Sequence, residues 1–187
     1  MPKIWFTSDL HFWHKNILKY CDRPFSNVKE MNNKIIRNYN SKVGDNDTVY
    51  ILGDIAMGKR EASIPLVKRL NGNKILILGN HDNSVDKERW ISEFGFSAVW
   101  DYYITQHSGD YFVMAHDPVD TLFIARNVGF KTEPILLNGH VHDLREFSTD
   151  DINNRFSLNV GIDVNNYFPM SHSEVLERWV DTYAKLH

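Results

Sequence analysis

Five short apolar runs in this sequence end in residues of one kind. Lys3 to Ser8 leads into Asp9-Leu10-His11, and Thr48 to Leu52 leads into Gly53-Asp54. Lys74 to Leu78 leads into Gly79-Asn80-His81-Asp82, Tyr111 to Ala115 into His116-Asp117, and Ile135 to Leu137 into Asn138-Gly139-His140-Val141-His142. Imidazole, carboxylate and amide oxygen without thiolate form a donor set for borderline divalent ions such as Mn, Fe, Zn, Ni or Co. Four His, two Asp and one Asn drawn from these ends exceed what one tetrahedral zinc takes. They fit two ions roughly 3.5–4 Å apart, the spacing of phosphoryl-transfer centres.

The pieces differ in specificity. Asp-x-His is common by chance, and Gly-Asp occurs three times, at Gly44-Asp45, Gly53-Asp54 and Gly109-Asp110. Gly-Asn-His-Asp and Gly-His-x-His are far rarer, and the ordered set behind apolar runs is the strong signal. Taken alone, His11, His116 or His140 reads as a satisfied core histidine, and Asn80 as a turn residue after Gly79. Asp82 reads as a supporting or capping carboxylate.

For these ends to meet, the runs must be neighbouring strands, because ligands in α/β sheets bind at the carboxyl ends of the strands. The runs are continuous rather than alternating, which predicts strands covered on both faces. Tyr102 to Gln106 and Phe156 to Val160 are two further strand candidates. Val28, Met31, Ile35, Tyr39 and Val43 recur at helical spacing. So do Val175, Leu176, Trp179, Val180, Tyr183 and Leu186, with Ser171 or Ser173 as N-cap. Shorter helices are expected over Arg60 to Leu70, starting ahead of or restarting at Pro65, and over Asp86 to Phe94. Strands alternating with helices, then clustered strands, predict an α/β or mixed α+β sandwich. With no repeats or linker, one domain over 1–187 is expected.

The ordered set Asp9-x-His11, Gly53-Asp54, Gly79-Asn80-His81-Asp82, His116 and Gly139-His140-x-His142 resembles the calcineurin-like metallophosphoesterase superfamily. Asn159-Val160-Gly161 and Pro169-Met170-Ser171 resemble the C-terminal strand and turn of its small bacterial and phage members. The resemblance implies two mixed β-sheets packed as a sandwich and flanked by helices. It implies one metal at Asp9, His11, Asp54 and His142 and another at Asp54, Asn80, His116 and His140, with Asp54 bridging. Manganese is the favoured ion. His81 would face the scissile phosphate as the non-ligand histidine. Two positions depart from the family pattern: Ala115 stands where Gly is usual, and Val141 where Thr is common. Neither is a ligand position.

The expected activity is that of a phosphodiesterase for a small, nucleotide-like phosphodiester, with water activated between two ions. Lys plus Arg is 21 and Asp plus Glu is 24, a net charge of −3, which offers no general grip on long nucleic acid. A nuclease, a phosphomonoesterase and a non-catalytic metal-binding scaffold are the rivals. A Ser/Thr protein phosphatase is disfavoured because Gly53-Asp54 continues as Ile55-Ala56-Met57. No serine-nucleophile elbow or Walker loop is present. The one cysteine, Cys21, allows no internal disulfide and reads as a small hydrophobe. No apolar run approaches the roughly 20 residues of a membrane span, and no secretory leader is visible, so the expected compartment is the cytosol. His14, Lys15, Arg23 and Arg126 are candidate substrate contacts, with Lys59 and Arg60 as further cations. Pro118 to Pro134 and Phe12 to Arg23 are the candidate rims. Phe12, Trp13, Phe123 and Phe130 read as core packing before base stacking. His107, His172 and His187 read as surface groups.

Overall fold

The apolar runs pair into two five-stranded sheets. The structure is a computed structural model that describes residues 2–142, 145–150 and 155–186. The first sheet contains β1 (Ile4–Thr7), β2 (Thr48–Ile51), β3 (Asn73–Ile77), β4 (Ala98–Trp100) and β10 (Met170–Ser171) in the order β10-β1-β2-β3-β4. β1 to β4 run parallel, with β10 antiparallel at the edge. The second contains β5 (Tyr102–His107), β6 (Asp110–Ala115), β7 (Ile135–Asn138), β8 (Phe147–Asp150) and β9 (Arg155–Asn159) in the order β5-β6-β7-β9-β8. Here β6, β7 and β9 are parallel and the edges antiparallel.

One face of each sheet meets the other. Phe6, Tyr50, Leu52 and Ile77 share a buried cluster with Phe112, Met114, Leu137 and Phe156. The Phe6 ring stacks on Phe112 at 5.4 Å. The alternate residues Trp5, Val49, Ile51 and Leu76 join a second cluster with Met31, Ile35 and Tyr39 of α2 (Val28–Lys42) and Val67 of α3 (Arg60–Val67). Burial on both faces is why these strands read as continuous apolar runs. The remaining helices are α1 (Ile17–Tyr20), α4 (Lys87–Ser92), α5 (Pro118–Asn127) and α6 (His172–Leu186). α6 starts at a capping box: Ser171 Oγ accepts from Glu174 N–H at 3.2 Å, and Glu174 Oε2 accepts from Ser171 N–H at 2.7 Å. α3 starts ahead of Pro65 and passes through it, the first of the two expected alternatives.

Several expectations need correction. Pro118 to Pro134, expected as a free rim, holds α5. The Asp117 side chain caps the Val119 N–H at 2.7 Å, Pro118 occupies the first turn, and Leu122 and Ala125 pack on Val113 and Leu136. β4, β8 and α1 were not anticipated. His107 and His172 are not simple surface groups: the His107 ring lies 3.0 Å from Tyr50 Oη, and His172 packs on Phe112 at 5.4 Å. His187 lies outside the described residues. Phe12 is fully buried and Phe123 is exposed. Among the described residues no helix is long and apolar enough to cross a membrane.

Candidate active site

Because β1, β2 and β3 are adjacent and parallel, their carboxyl ends deliver Asp9, Asp54 and Asn80 to one edge of the first sheet. β6 and β7 do the same for His116 and His140 from the second. The loops then turn sharply. Asp9, His11, Asp54, His140 and His142 all have φ between 46° and 69°. That left-handed conformation is uncommon outside glycine and more tolerable for Asp and His than for bulkier residues. Glycines give the loops room. A side chain at Gly139 would collide with Ser8 Oγ and lie 2.7 Å from Asp9 Oδ2, and one at Gly79 would collide with Asp54 Oδ1.

Asp54 is the centre of the arrangement. Its Oδ2 lies 3.5 Å from His11 Nε2, 3.5 Å from His116 Nε2 and 3.9 Å from His81 Nε2. Its Oδ1 accepts the His81 backbone N–H at 3.0 Å. On one side, Asp9 Oδ1 lies 4.0 Å from His11 Nε2 and 3.9 Å from His142 Nε2. On the other, Asn80 Oδ1 lies 3.1 Å from both His116 Nε2 and His140 Nδ1. Asp54 thus lies between His11 on the side of Asp9 and His142 and His116 on the side of Asn80 and His140.

The ring orientations are set from behind. His116 Nδ1 lies 2.6 Å from Leu52 O, so the N–H there leaves Nε2 facing the cluster. His142 Nδ1 lies 2.9 Å from Asp163 Oδ2 in the same way. Asp82 accepts the backbone N–H groups of Asp54, Ile55 and Gly79 at 2.7, 3.0 and 2.9 Å, which ties the β2 and β3 loops together.

The charges are unusual for so small a volume. Burial pushes His11 down to about 2, a neutral imidazole. Burial opposes charge on His116, yet hydrogen bonding and attraction from Asp54 and Asp9 raise it to about 9. His142 is likewise raised against burial, to about 10, chiefly by Asp163. Asp54 resists burial through its histidine neighbours and stays well below the usual carboxylate range, whereas burial lifts Asp9 above it.

A divalent metal fits these residues. His11 Nε2 is buried without a hydrogen-bond partner, the position a ligand lone pair would take. Asp9, His11 and His142, and likewise Asp9, Asp54 and His116, offer ligand atoms within 4.8 Å of one another.

The substrate candidates divide. His14 sits beside the cluster, with Nδ1 3.2 Å from His11 Nδ1. Lys15 is exposed on the turn that follows. Arg23 is not a rim cation: it is 3% exposed, and its guanidinium pairs with both Asp163 oxygens at 2.7 and 2.8 Å and donates to Asp9 O at 2.8 Å. It supports the site from behind. Arg126 lies in the last turn of α5, nine residues past Asp117. Lys59 and Arg60 do border the site, in a cavity of about 350 Å³ that reaches His81.

Two residues at the site carried no sequence assignment. Asp163 orients His142 and binds Arg23. It follows the run Phe156 to Val160 as Gly161-Ile162-Asp163, so the reasoning applied to the other five strand ends would have found it. Asn159 holds the β7 loop by donating to His142 O at 2.8 Å and Arg145 O at 3.0 Å.

This geometry coincides with a family match. Residues 2–164 match the calcineurin-like phosphoesterase family, and the chain belongs to it. The uncharacterized protein MJ1445 of Methanocaldococcus jannaschii is 38% identical over 174 residues, covering 91% of this chain and 88% of that one. A protein of unknown function from Aquifex aeolicus, AQ665, superposes with a TM-score of 0.76 at 28% identity, covering 98% of this chain and all of that one. An archaeal phosphodiesterase shares the fold, with a TM-score of 0.52 at 23% identity over 85% of this chain and 83% of that one. Family and fold are those of metal-dependent phosphoester hydrolases.

Proposed function

We propose that this protein is a binuclear metal-dependent phosphodiesterase acting on a small, nucleotide-like phosphodiester. The observation that carries the reading is the position of Asp54 Oδ2, shared between His11 on one side and His116 on the other at 3.5 Å each. In this reading Asp9, His11, Asp54 and His142 hold one ion, and Asp54, Asn80, His116 and His140 the other. Bound there, divalent ions, manganese by preference, supply Lewis acidity toward phosphate oxygens and lower the pKa of water.

The chain's own residues do the rest. Asp54 fixes the spacing of the two ligand groups. Leu52 O and Asp163 hold His116 and His142 with Nε2 turned inward. His81 is partly exposed, and its ring reaches the cluster from the open side. It delivers a proton to the departing oxygen while water attacks phosphorus in line, and no phospho-enzyme forms. Asp101, Asp117 and Asp120 border the cavity beside Asn80, His116 and His140, and their charge disfavours a long polyanion on that side. A single buried cysteine suits a cytosolic location.

The test is metal analysis followed by competitive turnover. A cyclic nucleotide or dinucleotide, an aryl phosphodiester, duplex DNA and an aryl phosphomonoester are offered at physiological salt. Two ions per chain and preference for the small diesters are expected. Preference for duplex DNA or for the monoester, or at most one ion at saturation, would overturn the reading.

A further inference from the structure

We propose that the cavity between α1 and the His81 loop is a ring-binding pocket, which takes an uncharged planar aromatic group, a nucleobase or an aryl ring, esterified to the phosphate at the Asp54 cluster. The proposal rests on the phosphate-ester reading above and adds the class of group that the ester carries.

The cavity holds about 330 Å³. Its inner wall is His11, His81 and His142, all within 4 Å of an Asp54 or Asp9 oxygen, so it is space adjoining any phosphate bound there. Its other walls are apolar: Ile17, Cys21 and Val141 are 2%, 9% and 9% exposed. At the lip the Tyr20 ring stands 70% exposed. The His14 ring lies between, edge-on to Tyr20 at 6.1 Å and to His81 at 6.1 Å.

The chemistry of the neighbouring cavities narrows the occupant. The one on the other side of His81 carries Lys59, Arg60, Glu61 and Arg89, with Arg60 and Arg89 paired to Glu93, a charged lining that does not match a neutral ring. The one beside His140 carries Asp101, Asp117 and Asp120 and does not match one either. The Tyr20 cavity is the one of these three whose lining matches a neutral ring. Its volume is at the low end of the roughly 300–1,000 Å³ of small-molecule pockets, room for one ring system rather than a strand. Tyrosine presents a rigid face at little cost in conformational entropy.

The experiment measures binding by calorimetry to the Mn-loaded protein, with phenylphosphonate and methylphosphonate as probes. Neither is a substrate, and the two differ only in the ring. The wild type is expected to bind phenylphosphonate about tenfold more tightly, within the range of base–aromatic stacking. Tyr20→Phe keeps that preference. Tyr20→Ala, at a position too exposed to affect folding, loses it while methylphosphonate affinity stays the same. No preference in the wild type, or an equal preference in Tyr20→Ala, overturns the proposal. Turnover of bis(p-nitrophenyl) phosphate separates the two ideas. A ring preference without diester turnover supports the pocket and sinks the phosphodiesterase reading, and turnover without ring preference does the reverse.

Discussion

Replacing Arg23 tests whether the site is held from behind or lined from the front. Arg23→Met keeps a long apolar stem and removes a guanidinium that contacts both Asp163 oxygens and the carbonyls of Asp9 and Leu10. Asp163 is 1% exposed in its side chain, so it loses one of its two cationic partners where water does not replace it, keeping His142 at 2.9 Å. Removing one partner of a buried ion pair costs about 3–5 kcal/mol. Each orphaned carbonyl adds up to about 1–3 kcal/mol, but one relaxation of the loop relieves several at once, so the contributions do not sum. A loss of about 3–5 kcal/mol is expected, against a total stability of roughly 5–15 kcal/mol for a domain. Urea unfolding of the metal-free protein reads it as a fall in midpoint at constant slope. Arg23→Met combined with Asp163→Asn should lose less than the sum of the two single changes, because both break the same pair. A loss under about 1 kcal/mol, with a raised KM for substrate, would refute the reasoning and return Arg23 to the rim.

The other predictions concern the cluster itself. Asp54→Ala should be the most damaging ligand change, with both metals lost by elemental analysis, because the other ligands each serve one group. His81→Ala should keep both metals and lose roughly 10²–10⁴ in rate, the contribution of a general acid; loss of metal would make His81 a ligand. Gly139→Ala should cost about 1–3 kcal/mol in thermal unfolding and weaken metal binding, since its Cβ meets Ser8 and Asp9. Gly129→Ala, with nothing within 4 Å, should be neutral in the same assays. Metal uptake should release protons: the metal-free protein holds His116, at about 9, and His142, at about 10, protonated at neutral pH, and both must bind as neutral imidazole. The free protein thus carries more protons than the loaded one, and metal affinity should climb with pH up to about 9–10, read by calorimetry in buffers of different ionisation enthalpy.

What was legible in the sequence follows from what carries local information. Strands buried on both faces announce themselves as apolar runs, and the polar residues after Thr7, Leu52, Leu78, Ala115 and Leu137 needed only the strand-end rule to be gathered at one place. α2 and α6 were legible from their apolar stripes. α5 was not, because its apolar face is short (Leu122 and Ala125 are its buried nonpolar side chains after Pro118) and its exposed face carries Val119 and Phe123. The helix is marked instead by Asp117-Pro118, an N-cap and first-turn signal that reads equally as the end of a histidine motif. β4 and β8 are edge strands supported by one neighbour each. Arg23 failed as a rim cation because a cation's sequence position says nothing about which way the fold turns it. Asp163 pairs with it behind the cluster.

The strained loops show how neither sheet alone makes the site. Holding Asp9, His11, Asp54, His140 and His142 in the left-handed region costs of the order of 1–3 kcal/mol each, so the surroundings must over-determine them. The bonds that do so run between loops. Asp9 N–H donates to Gly53 O at 3.0 Å, His11 N–H to Asp54 O at 2.9 Å and Phe12 N–H to Ile55 O at 2.9 Å, zipping the β1 and β2 ends together. Gly139 N–H donates to His116 O at 2.9 Å, joining the ends of β6 and β7. The two zippers meet where His140 N–H reaches the Asp9 carboxylate at 3.1 Å and His116 reaches Leu52 O. Each sheet thus clamps a loop of the other, and the close approach at Gly139 and Gly79 lets them mesh. A site built this way has its donor atoms placed by backbone before any ion arrives, so the cost of assembling it is met in folding rather than in binding.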